Sequence, residues 1–231
     1  MRQIILDTET TGLNPQTGDR LVEIGCIELF NRRLTGKTLH FYINPERNMP
    51  PEAQAIHGLS EEFLADQPLF ASVADEISEF VKDTEIIIHN ASFDLGFLDM
   101  EYQLLKRTPF SKQISSVIDT LLDARKMFPG KRNRLDDLCD RFGIRNDHRT
   151  LHGALLDAEL LAEVYLAMTR GQNDLGMDLM NNSNEHNQFE FEKRTKPTNL
   201  KVISASDEEF KDHLSLLDDM SKKTKKTPIW H

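Results

Sequence analysis

The chain is 231 residues long, 39% hydrophobic, and carries a formal net charge of -10. That length suits one well-buried domain with an appendage, or two small domains, and the excess of acid argues against tight, free-standing binding to duplex nucleic acid, which a basic footprint would serve. Two cysteines, Cys26 and Cys139, with no C-x-x-C pattern and no Cys/His cluster, argue against a disulfide scaffold or a zinc site. No apolar run reaches signal-peptide or membrane-spanning length, so the expectation is a soluble, cytoplasmic protein without membrane contact.

Ile4, Ile5 and Leu6 are too few for a helix and read as a short buried strand. Strand side chains alternate, so Asp7 and Glu9 project from one side and Thr8 from the other. Two carboxylates that close repel unless a cation lies between them. Hard oxygen ligands on a rigid strand suit Mg²⁺ or Mn²⁺ better than zinc. A lone D-x-E is equally an acidic strand end entering a glycine turn, and residues further along have to decide.

Thr10 to Arg20 is turn-rich, Leu21 to Phe30 alternates as a second strand, Asn31 to Lys37 reads as a polar turn, and Thr38 to Ile43 reads as a third strand. Pro45, Pro50 and Pro51 end this meander. Glu52 to His57 is a helical turn opened by those prolines, and Ser60-Glu61-Glu62 starts another helix. Val73, Ile77, Phe80 and Val81 give Ser72 to Lys82 helical spacing, Glu85 to His89 is a β-branched strand, and Phe93 to Lys106 is helical with Phe93 and Phe97 on its apolar, core-facing side. Val117 to Asp119 is a last strand, followed by helices over Leu121 to Phe128, Arg134 to Phe142 and Leu151 to Thr169. A meander followed by alternating helices and strands predicts an α/β fold, a mixed sheet with helices on its faces. After Gly171 the composition turns polar and aperiodic as far as Lys196, as a linker would be. Asp207 to Met220 recovers helical spacing, and a Lys-rich stretch precedes Trp230.

Two further acidic sites stand out. Asp94 opens a helix, where a carboxylate is electrostatically favoured whatever its role. Ligands gather at the C-terminal ends of strands in open α/β sheets, so Asp94 is also placed to face Asp7 and Glu9. His152 and Asp157 would lie about 140° apart on a regular helix. They can reach one cleft if His152 sits on the loop before the helix, which Gly153 permits.

Asp7-x-Glu9, Asp94 after His89-Asn90, and His152 five residues before Asp157 resemble the three motifs of the DEDDh family of 3′→5′ exonucleases. The stretches Asn31-Arg32-Arg33-Leu34-Thr35-Gly36 and Ala124-Arg125-Lys126-Met127-Phe128-Pro129-Gly130-Lys131-Arg132-Asn133, with 149–158, resemble the epsilon, or proofreading, subunits of bacterial DNA polymerase III. The likeness is close over residues 1 to 170 and looser in the tail. It implies a ribonuclease H-like fold and two divalent cations, Mg²⁺ or Mn²⁺. Asp7 would bridge the ions, Glu9 and Asp157 would complete one shell, Asp94 would hold the other ion through water, and His152 would take the proton of the attacking water. The substrate would be the 3′ end of DNA and the product a nucleoside 5′-monophosphate. Glu52 and His57 would contact the terminal nucleotide beside Asp7, Glu9 and Asp157, Thr10 and Gly12 would let the backbone approach the last base, and Leu13 would act as a wedge.

The same resemblance implies an exonuclease domain over 1–170, a flexible linker over 171–200, and a segment over 201–231 that binds the alpha, or polymerase, subunit, with Trp230 as an anchor. Gln172-Asn173-Asp174-Leu175-Gly176-Met177 is similar to peptides that hold the sliding clamp, with Met177 where an aromatic is more usual, so this contact would be weak. A further small accessory subunit would complete the assembly. Two other readings carry distinct expectations. A DEDDh ribonuclease would trim RNA 3′ ends, and a non-catalytic replisome subunit would lack the five catalytic side chains that are present here.

Overall fold

Ile4, Ile5 and Leu6 are all fully buried, which consecutive strand residues achieve only when both faces of their sheet are covered. The computed structural model describes residues 1–146, 151–170 and 205–224. Strand β1 (Arg2–Thr10) is central in a five-stranded sheet of order β3-β2-β1-β4-β5, with β2 (Leu21–Phe30), β3 (Arg33–Tyr42), β4 (Glu85–Ile88) and β5 (Ser116–Asp119). The first three strands pair antiparallel and β4 and β5 join in parallel, which makes the sheet mixed as the element order predicts.

Alternation along β1 sorts the helices onto two faces. Ile5, with Ile27, Leu29 and Ile87, packs against α7 (Ala154–Met168) through Ala158, Leu161, Ala162 and Tyr165. Ile4 and Leu6 face the opposite layer, where α3 (Phe70–Val81) and α4 (Ala91–Leu104) contribute Phe70, Ile77, Phe97 and Tyr102. The Phe93 and Phe97 rings meet tilted, 5.0 Å apart, on that side, with Phe97 buried in the core and Phe93 partly buried against it. Smaller helices complete the layers: α1 (Pro51–His57), α2 (Glu61–Ala65), α5 (Thr120–Met127) and α6 (Leu135–Phe142).

Two elements differ from the sequence-based expectation. The polar turn expected over Asn31 to Lys37 is only Asn31 and Arg32, with φ of 48° and 63°, and β3 begins at Arg33. β3 is an edge strand whose residues 33–38 are exposed. No apolar alternation marks it, and its charged residues discourage edge-to-edge pairing. Helix α7 starts at Ala154 rather than Leu151, because Gly153 is extended and serves as its N-cap.

The chain divides into two units, Met1–Leu175 and Gly176–His231. In the second, α8 (Asp207–Thr224) leaves Phe210, Leu214, Leu216 and Met220 exposed. The clamp-like peptide, the linker and Trp230 lie outside the described residues. Among the described residues, no helix is long and apolar enough to cross a membrane.

Candidate active site

The site forms where β1 runs out beneath the first turn of α7. Asp7 and Glu9 project toward α7, as their spacing predicts. His152 sits on the loop before the helix, where its backbone N–H donates to the Ile56 carbonyl at 3.1 Å. Leu151 presses on Gly58, whose φ of 75° and lack of Cβ admit it. With the loop so docked, His152 Nδ1 lies 3.2 Å from Asp157 Oδ2. The glycine before α7 thus resolves the angular mismatch between these two residues. Glu9, His152 and Asp157 each offer a ligand atom, and these atoms lie within 4.8 Å of one another. Asp7 lines the same cavity as His152 and Asp157, about 620 Å³ in volume.

What brings α7 so close is Gly25, the residue directly opposite Asp7 on β2. A Cβ there would come within 2.5 Å of the Ala154 carbonyl carbon and the Leu155 Cα. A glycine inside a strand often marks such an approach. Gly25→Ala should push the helix start, and Asp157 with it, off the sheet. Overpacking of this kind costs about 1–3 kcal/mol, and a shift of roughly 1 Å at a catalytic group can cost about 100-fold in rate. Thermal melts and turnover measured together would check this, and an unchanged melt with full activity would contradict it.

Asp94 belongs to α4, which packs on the opposite face of the sheet, and its Oδ1 accepts a hydrogen bond from Thr8 Oγ1 at 2.6 Å. The residue between Asp7 and Glu9 thus tethers it beneath the strand end. Burial pushes its pKa up to about 7, against the pull of the Thr8 hydrogen bond and with a contribution from nearby Asp119. Folded pKa above unfolded means that stability falls as pH rises from about 4, levelling once Asp94 has ionised near 7. In metal-free protein Asp94→Asn, which can still accept from Thr8, should therefore gain stability at pH 8, by about 1–3 kcal/mol, and lose the gain in acid. A lower melting temperature at every pH would contradict this.

Of the residues expected around a terminal nucleotide, Asp7 and Asp157 line this cavity, and Glu52, His57, Thr10, Gly12 and Leu13 are not among its lining residues. Glu52 is exposed in the first turn of α1. His57, at the end of the same helix, is 5% exposed and accepts from the Leu59 N–H at Nδ1. Burial lowers its pKa; Glu23 opposes that shift, and His152, close enough for their charges to interact, adds to it. Thr10 is buried and donates to the Gly12 carbonyl at 2.6 Å. A Cβ on Gly12 would collide with the Asp19 carboxylate, which accepts from the Asn14 N–H and pairs with Arg47. That turn holds Leu13 outward, 82% exposed.

Sequence reasoning passed over several residues that build the site. Glu23, opposite Glu9 in register and 3% exposed, pairs with His40 at 2.7 Å. An acid within an otherwise apolar strand was the available signal. Asp119 accepts from the backbone N–H groups of Asn90, Ala91, Leu121 and Leu122, so one carboxylate caps both α4 and α5. Its place before a helix start is the N-cap signature. Arg125, Lys131, Arg132 and Arg134 also line the cavity.

The donor set fits a cation. Two carboxylates and an imidazole, with a further carboxylate on the same cavity, suit a hard or borderline divalent ion, and acids packed this tightly repel without one. Residues 4–165 match the family described as Exonuclease. The chain is 48% identical over 229 residues to DNA polymerase III subunit epsilon of Escherichia coli strain K12, which spans 96% of this chain and 94% of that protein. It is 59% identical over 173 residues to the protein of that name from Rickettsia prowazekii, covering 74% of this chain and 76% of that one. Among solved structures it is similar to exonuclease X in complex with 5′ overhanging duplex DNA, with a TM-score of 0.56 at 26% identity over 72% of this chain and 90% of that one. Apo exonuclease I shares the fold, with a TM-score of 0.64 at 21% identity over 75% of this chain and 43% of that one. The chain belongs to the exonuclease family and, within it, to the family of DNA polymerase III epsilon subunits.

Proposed function

We propose that the protein is a 3′→5′ exonuclease that removes mispaired 3′-terminal nucleotides from DNA as nucleoside 5′-monophosphates, working beside a replicative polymerase. The convergence of Glu9, His152 and Asp157 on one point, on a cavity shared with Asp7, carries this reading. Asp7, Glu9, Asp94 and Asp157 would hold two divalent cations, Mg²⁺ or Mn²⁺. Such a pair, when bound, stabilises the attacking and leaving oxygens of an in-line displacement at phosphorus.

His152 removes the proton of the attacking water. An imidazole suits that task, and the Asp157 carboxylate 3.2 Å from Nδ1 orients the ring. Glu52 and His57 hold the terminal nucleotide, and Leu13, fixed outward by the Asp19 turn, separates the last base from its neighbour. Base identity need not be read. A mismatched end unpairs at lower cost, so a site that accepts only unpaired termini edits selectively.

The relatives' shared name, DNA polymerase III subunit epsilon, supports an association with a polymerase. The exposed Phe210 and Leu214 of α8 supply an apolar stripe for the polymerase subunit. The clamp contact through Gln172 to Met177 and a small accessory subunit belong to the same reading.

The deciding assay compares mismatched with paired primer ends, as DNA and as RNA, in Mg²⁺ or EDTA. Faster loss of mismatched DNA ends, abolished by EDTA, is the expected result. Equal trimming of RNA ends would make the protein a ribonuclease, and no cleavage under any condition would leave only an interaction subunit.

A further inference from the structure

The cavity that Asp7 and Asp157 line also carries cations. Arg125, Lys131, Arg132 and Arg134 line it, beside Asp136, in a chain whose net charge is -10. The segment 124–134 contains no Asp or Glu, so its cations are not neutralised from within.

The loop that presents them is braced from behind. Asn133 is 7% exposed, and its side-chain amide donates to the carbonyls of Phe128 and Lys131. Arg141, from α6, donates to Asn133 Oδ1 at 3.0 Å and to the Arg132 carbonyl at 2.9 Å, and its guanidinium lies 4.2 Å from the centre of the Phe128 ring. Gly130, with a φ of 75°, allows the tight turn. On the cavity side, His89 bonds Thr120 Oγ1 at 2.9 Å and lies against the Asn133 backbone. One arginine is thus spent on building the loop, while the four facing the cavity are exposed. Arg132 is 84% exposed at its side chain and pairs with Asp137 at 3.5 Å. A preformed loop that offers cations beside a phosphodiester-cleaving centre loses little entropy when it binds anions.

We infer that Arg125, Lys131, Arg132 and Arg134 hold the phosphates of nucleotides upstream of the scissile bond, so that they track the body of the DNA strand while the centre acts on its end. The inference rests on the exonuclease reading above. It also answers the acidic net charge, because affinity for a strand needs only a local row of cations.

The test is the Lys131→Ala/Arg132→Ala double variant, whose altered side chains lie on the surface and leave the Asn133 and Arg141 brace intact. Wild type and variant are assayed on a single-stranded oligonucleotide across a salt series, and on an aryl ester of thymidine 5′-monophosphate, which has no upstream phosphate. For the oligonucleotide, KM should rise about tenfold with little change in kcat, and the slope of log KM against log salt should flatten by about 1.4, near 0.7 for each lost contact to a single strand. The loss should be confined to the oligonucleotide. Wild-type KM and salt slope in the variant would overturn the assignment and leave the nuclease reading standing. A parallel fall on both substrates would also overturn it, by placing these side chains at the reacting centre. Wild-type protein inert on both substrates would overturn the assignment together with the reading beneath it.

Discussion

Asp7→Ala is expected to lower hydrolysis by about 10⁴-fold and to remove saturable Mn²⁺ binding in the same variant. The effect is large because of where the residue lies. Asp7 is half-buried on the central strand, directly opposite Gly25 and beneath the start of α7. It lines the cavity shared by His152 and Asp157. Asp7→Asn keeps the shape and removes the charge, so it separates metal loss from local unfolding. Melting at the wild-type temperature with activity and Mn²⁺ affinity both gone is the expected pattern. Calorimetry that finds unchanged metal affinity in either variant would remove Asp7 from the ligand set.

His152→Ala should lower turnover by about 10²–10⁴-fold, the usual range for loss of a general base, while Mn²⁺ affinity stays close to that of the wild type. The geometry makes this a sharp test, because His152 lies within the same 4.8 Å group as Glu9 and Asp157 and could be a ligand instead of a base. Its side chain is 46% exposed against 5% for Asp157, and its Nδ1 is already directed at the Asp157 carboxylate. An exposed imidazole oriented by a buried carboxylate is the arrangement of a group that exchanges protons with water. Loss of metal binding alongside activity would make His152 a ligand, and undiminished activity would leave the reaction without its assigned base.

Much of this site could be read from residue order because the relevant periods are short. Alternation over Asp7, Thr8 and Glu9 sorts two carboxylates to one face and a hydroxyl to the other, and the structure keeps that sorting. The five-residue step from His152 to Asp157 excludes one continuous helix face, so Gly153 could be recognised as the place where the loop ends. The position of Asp94 was less legible. A helix start near the strand ends could be foreseen, but its meeting with Thr8 on the far face depends on which layer α4 joins, a long-range packing outcome. Glu23 and Asp119 were passed over for a related reason. Each acts through partners distant in the chain, His40 across the sheet for one and the backbone of Asn90 and Ala91 for the other. The extent of β3 was hidden because an exposed edge strand carries no apolar pattern. The basic lining could be seen only once Asn133 and Arg141 had shown how the loop is held.

The central claim is that acids from separate elements share a pair of divalent cations with an imidazole at hand. Crystals grown with Mn²⁺ and a nucleoside 5′-monophosphate test it most directly, through the anomalous signal of the metal. The account predicts two peaks about 4 Å apart, both within bonding distance of Asp7, with Glu9 and Asp157 on one and Asp94 reaching the other through water. A single peak held by Glu9, His152 and Asp157 alone, or no peak in the cavity, would contradict it.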